Sequence, residues 1–180
     1  MKKLVLTSSL VVAALAIIAT GVAFAHGDNG GKSARLNGWQ ETPSISTTGH
    51  GSLRLRLRSD GIHYVLRYAG LENDALVAHI HLGQRHTAGG VIAFLCGGGD
   101  KGACPLREGR VEGVIDAADV IGPAGQGIDP TQIREVVRAL RHGAVYANVH
   151  TTKFGNGEIR GQVRGHNDNG DDDGDDRHRK

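Results

Sequence analysis

The sequence predicts a mainly β protein, an antiparallel β-sandwich with one short crossover helix. Apolar and polar side chains alternate with a period of two through most of the chain between residues 35 and 165. Gly-rich turn signals recur about every ten residues, the spacing of short antiparallel strands. One segment alone, 129–143, has its apolar residues at helical spacing.

The elements follow in order. Residues 1–25, MKKLVLTSSLVVAALAIIATGVAFA, combine a positive start at Lys2 and Lys3, an apolar run and an Ala23-Phe24-Ala25 ending. That is the pattern of a secretory signal peptide, removed on export. Residues 26–34 are polar and Gly-rich, a flexible leader. His26, the first residue after the expected cleavage, could chelate copper through its amine and ring. Residues 35–165 form one domain of ordinary size, opening with a strand at 36–40.

In SLRLRLRSDGIHYVLRY, Leu53, Leu55 and Leu57 alternate with Arg54, Arg56 and Arg58. Asp60-Gly61 marks a hairpin turn, and the return strand carries Ile62, Tyr64, Leu66 and Tyr68 on one face. Further strands are expected at 75–82, 90–96, 110–115, 144–150 and 157–164. In the first of these, Leu76, Ala78, Ile80 and Leu82 share a face opposite Val77, His79 and His81. Asp129 and Pro130 read as a helix start, Ile133, Val136, Val137 and Leu140 as its apolar stripe, and Gly143 as its stop. Residues 166–180, HNDNGDDDGDDRHRK, are an acidic tail that can bury no apolar surface and is expected to be disordered. An EF-hand register from Asn169 places Asp171, Asp173 and Gly174 correctly, but Lys180 stands where the bidentate Glu belongs.

Charge and cysteine content narrow the function. The 21 basic residues lose Lys2 and Lys3 on cleavage and then balance the 19 acidic ones. The mature chain is thus formally neutral, without the signature of a nucleic-acid binder, and it has no second long apolar run to span a membrane. Export places the chain in a periplasm or outside the cell. There Cys96 and Cys104 are expected to form a disulfide, worth about 2–3 kcal/mol. Their spacing is a poor match to a thiolate metal pair.

The chemistry-bearing residues concentrate in two places. AHIH at 78–81 sets His79 and His81 on one face of a strand. Near the end of the domain, AVYANVHTTKFGNGEIRGQVR alternates Val145, Ala147 and Val149 with Tyr146, Asn148 and His150. After a turn, Glu158, Arg160 and Gln162 alternate with Ile159, Gly161 and Val163. If these segments pair, Asn148, Glu158, Arg160 and Gln162 form a polar cluster beside His150. Two arrangements fit. In one, the cluster is a closed hydrogen-bond network, with a histidine donating to a backbone carbonyl or to Glu158 and Arg160 forking onto Glu158. In the other, His79, His81 and His150 converge on copper or zinc.

AHIHLG, NVHTTKFGNGEIRGQV and the early LNGWQETPSISTTGHG together resemble the CHRD domain, over about residues 35–164. That domain is named for its repeats in chordin, an extracellular antagonist of bone morphogenetic proteins, and also occurs in secreted microbial proteins. The resemblance implies an extracellular module. The cysteine-rich modules through which chordin engages growth factors have no counterpart here. The H-x-H pair with a late third histidine is also similar to copper–zinc superoxide dismutase, which implies an immunoglobulin- or superoxide-dismutase-like sandwich. The histidine- and aspartate-rich zinc loop of that enzyme is missing. His86, in QRHTAGG, makes no zinc subsite alone, and spacing does not assign Arg160 as an active-site arginine.

No G-x-S-x-G, P-loop or H-E-x-x-H motif is present. The expectation is an extracytoplasmic binding or structural module without catalysis, engaging an unidentified protein or small ligand. The alternative is a copper- or zinc-binding protein, with dismutase-like redox activity as its furthest extension.

Overall fold

The computed structural model describes residues 31–165. The expected signal peptide, the first part of the leader and the acidic tail lie outside the described residues. Nine strands and one α-helix make up the fold: β1 (Lys32–Asn37), β2 (His50–Arg58), β3 (Gly61–Ala69), β4 (Ala75–Leu82), β5 (Val91–Cys96), β6 (Gly109–Ile115), α1 (Ile133–Arg141), β7 (Val145–Thr151), β8 (Ile159–Gln162) and β9 (Arg164–Gly165). β1 begins inside the stretch read as leader. The chain after it turns through a short 3-10 segment, Gly38–Gln40, in place of the strand expected at 36–40.

All strands pair antiparallel in one sheet of order β5-β4-β7-β8-β1-β2-β3-β6, with β9 added to β1. The two-sheet sandwich is therefore corrected to a single, nearly closed barrel-like sheet. The reason lies at β1. Asn37 pairs with Arg160 of β8, and Lys32 and Ser33 pair with Gly165 and Arg164 of β9, which joins what would otherwise be two sheets. The terminal strands β5 and β6 share no ladder. Beside this gap the Tyr64 hydroxyl of β3, the strand next to β6, donates to the Leu95 carbonyl of β5 at 2.7 Å.

Alternation sorts the residues as their polarity demands. Leu53, Leu55, Ile62, Tyr64, Leu66 and Tyr68 turn inward and are buried, while Arg54, Arg56 and Arg58 stay in water. Leu76 departs from its expected inward face and is exposed. A register shift between Ala75 and Val77 in the β4–β7 pairing puts Ala75 inside instead.

The helix buries Ile133, Val136, Val137 and Leu140, the expected stripe. It starts later than Asp129-Pro130 suggests, because Thr131 adopts φ 70°, which an α-helix cannot continue through. It ends as expected at Gly143. There Ala144 N–H reaches the Ala139 carbonyl and Gly143 N–H the Leu140 carbonyl, the paired bonds of a Schellman motif. Cys96, at the end of β5, is disulfide-bonded to Cys104, as expected.

Candidate functional site

β4, β7 and β8 are consecutive in the sheet, and their register brings the polar residues into rows. His79 pairs with Asn148, which pairs in turn with Arg160. His81 pairs with Tyr146, which pairs with Gln162, and Val77 lies opposite His150. The three histidines thus come from two neighbouring strands and share one face. One nitrogen from each lies within 4.8 Å of the other two. His79 and His81 are buried, and His150 is partly exposed.

Backbone carbonyls set the tautomers. His81 Nδ1 lies 3.0 Å from the Gly89 carbonyl and His150 Nδ1 lies 3.0 Å from the Gly155 carbonyl. A carbonyl only accepts, so both Nδ1 atoms carry the proton and both Nε2 atoms carry a lone pair in the neutral ring. His150 Nε2 receives His79 Nδ1–H at 3.1 Å. His81 Nε2 is buried with no hydrogen-bond partner among the described residues.

The rings are neutral at physiological pH. Burial, reinforced by the neighbouring His150 and His81, lowers His79 to about 3. Burial lowers His81 to about 4 against the opposing bond to Gly89, and it lowers His150 as well. The surround is aromatic. Tyr146 stacks on His81 with centroids 4.7 Å apart, and Phe94 meets His79 edge-on at 4.9 Å.

Arg160 holds the wall of the site. Its guanidinium lies 3.5 Å from the Tyr146 ring centroid, on a ring that also stacks against His81. It donates to the Gln84 and Thr87 carbonyls at 2.9 and 2.8 Å, pinning the loop that carries Gly89. Gly89 itself could be nothing larger, since a Cβ there would sit 1.7 Å from the Leu82 carbonyl oxygen. Gln162 donates to the Gly83 and Gly143 carbonyls, bracing the other end of the same loop.

The expected fork between Arg160 and Glu158 is not formed. Glu158 precedes β8, so strand alternation does not govern it, and it turns into a separate, fully buried site. It accepts from Thr47 Oγ1 at 2.7 Å, Glu72 N–H at 2.8 Å and Thr151 Oγ1 at 2.8 Å. The acid that faces Arg160 is Glu41, from QETP. Its carboxylate accepts from Asn148 Nδ2 at 2.8 Å. Burial pushes Glu41 up to about 7, against the pull of Arg160 and the Asn148 bond.

The polar cluster therefore keeps Asn148, Arg160 and Gln162, loses Glu158 and gains Glu41 and Tyr146. Tyr146 was visible in the alternation of β7 as a member of the same face. Nothing local marks Glu41, which lies 107 residues from Asn148 in the chain. His86 lies in the exposed loop at φ 58°, apart from the histidine triad.

A family model, the CHRD domain, matches residues 32–163, and the chain belongs to that family. No curated protein and no solved structure matches it.

Proposed function

We propose that this CHRD-family chain is an exported module that binds a transition metal, copper or zinc, through His79, His81 and His150. The observation that carries the reading is the pair of carbonyl-fixed tautomers, which presents the Nε2 lone pairs of His81 and His150 on one shared face. Metal-ligating histidines characteristically donate their other ring N–H to a carbonyl or carboxylate in this way.

The dimensions fit. Three nitrogens about 2.0–2.1 Å from one ion stand roughly 3.4 Å apart in a tetrahedral arrangement. Here the closest pair is at 3.1 Å and the widest at no more than 4.8 Å, a gap that small ring rotations close. The His79–His150 hydrogen bond is what an ion replaces, with the His79 proton moving to Nε2 so that Nδ1 becomes a third donor. The donor set of neutral imidazoles suits copper and zinc rather than calcium or magnesium. Three protein ligands leave a fourth position open beside the partly exposed His150. Placement outside the cytoplasm is supported by the family, the disulfide and the expected signal peptide.

Metal analysis of the mature protein, followed by copper and zinc titration, tests the reading. One equivalent of tightly held ion is expected, lost in His81→Ala, with a thermal midpoint that falls on adding chelator. Binding no tighter in the native protein than in a variant lacking all three histidines would refute it.

A further inference from the structure

Further round the same outer face of the sheet, which Asn37 opposite Arg160 links to the histidine site, lies a second concentration of charge that the site does not use. On the outer face, Arg35, Ser52, Arg67 and Arg110 form one cross-strand row over β1, β2, β3 and β6. Ser33, Arg54, Val65 and Glu112 form the next, followed by Arg56 opposite His63. Arg58 closes β2. All six arginines are exposed. Arg110 is ion-paired with Glu112, while Arg35, Arg54, Arg56, Arg58 and Arg67 form no salt bridge among the described residues. An open groove at the β9 side of this face is lined by Arg35, Arg54, Arg85 and Arg164. Like charges set side by side across strands repel, so the face gains from any polyanion laid on it.

The chain supplies one. Residues 166–180 hold Asp168, Asp171, Asp172, Asp173, Asp175 and Asp176, ahead of the cationic end Arg177–Lys180. They begin where β9 ends. Gly165 pairs with Lys32 of β1, and Lys32 pairs with Leu55 of β2, the residue between Arg54 and Arg56. The start of the segment is thus about 10 Å, two strand spacings, from the middle of the arginine row. Asp171 is six residues further on, an extended reach of about 20 Å, enough to cross β1, β2 and β3.

We propose that the acidic segment 166–176 lies across the arginine face of β1, β2 and β3 and occupies in cis a surface built for polyanions. Tethering makes the contact intramolecular, so individually weak Arg–Asp pairs persist at low ionic strength and yield to salt. An external polyanion must displace the segment to reach the same arginines.

The test uses the full mature chain and a variant with Asp171, Asp172, Asp173, Asp175 and Asp176 changed to Asn. In amide NMR spectra, neutralising the aspartates is expected to shift Ser33, Arg35, Arg54, Arg56 and Arg67. Raising NaCl should move the same set in the native chain. Affinity for a short inorganic polyphosphate should rise about tenfold in the neutralised variant. Arg54→Gln/Arg56→Gln should remove that gain. Unchanged shifts on the arginine strands, or equal polyphosphate affinity in the two chains, would overturn the proposal. So would shifts that vanish on dilution, which would assign the segment to a second copy.

Discussion

The outer face of β1–β3 and the shared face of β4, β7 and β8 have the same sequence signature, polar residues at every second position. Their fates are opposite. Arg54, Arg56 and Arg67 stand in water, whereas His79, His81, Asn148, Arg160 and Gln162 are buried. The difference is made by loops. Gln84, Thr87 and Gly89 on one side, and Glu41 and Thr42 on the other, close over the second face and hydrogen-bond to it. Alternation tells which side chains share a face, and the covering segments decide whether that face is solvent or site.

Breaking the covered face should cost far more than breaking the open one. Arg160→Ala leaves Glu41 without its cation and the Gln84 and Thr87 carbonyls without their donor, and it frees the Gly89 loop. A loss of about 3–5 kcal/mol is expected in urea unfolding, together with weakened metal binding. Glu158→Gln keeps the shape but gives up a charged acceptor for the Thr47 and Thr151 hydroxyls and the Glu72 N–H. About 1–2 kcal/mol is expected by the same measurement. Arg54→Gln and Arg56→Gln together should stay within about 0.5 kcal/mol of the parent.

Titration separates the faces again. His79 and His81 ionise near 3 and 4 in the folded protein, below the ordinary 6.5, so the unfolded chain binds more protons between those limits. Their contribution to metal-free stability is therefore complete above about pH 6.5 and is lost as pH falls towards 3. Glu41, raised to about 7 from 4.5, acts in the opposite sense. Its contribution is complete below about 4.5 and is lost as pH rises through 7. The two windows overlap between about pH 4.5 and 6.5, where two histidines outweigh one Glu41. Metal-free stability should therefore rise to a plateau near pH 7, and should rise more steeply over that range in Glu41→Gln, as followed by thermal unfolding across pH. Because the histidines are already neutral at pH 7, zinc binding there should release almost no protons. Calorimetry in buffers of different ionisation enthalpy should give the same heat.

Much of this was legible in the residues. Leu53-Arg54-Leu55-Arg56 declared its strand and its two faces, and AHIH with NVHT gave the three histidines that the structure brings together. Closure of the sheet was not legible, because the link from β8 to β1 rests on a single residue pair, Asn37 with Arg160. Glu158 misled because strand parity was extended one residue beyond the strand. Glu41 was hidden because a buried acid at the end of a 3-10 turn looks like any loop glutamate until its partner, a hundred residues away, is placed beside it.

The distance along the chain between His79 and His150, 71 residues, has a kinetic consequence. Closing a loop of that length must precede any chelation by all three rings, and β4 and β7 must first find their register across it. Of the proposed ligand set an unfolded chain offers only the local H-x-H pair, so an ion would gather the full set only once the sheet is assembled. On the proposed metal reading, tight binding is thus a late event and a reporter of a finished fold. A chain trapped with β4 and β7 one residue out of register would turn His79 and His81 to the opposite face, away from His150.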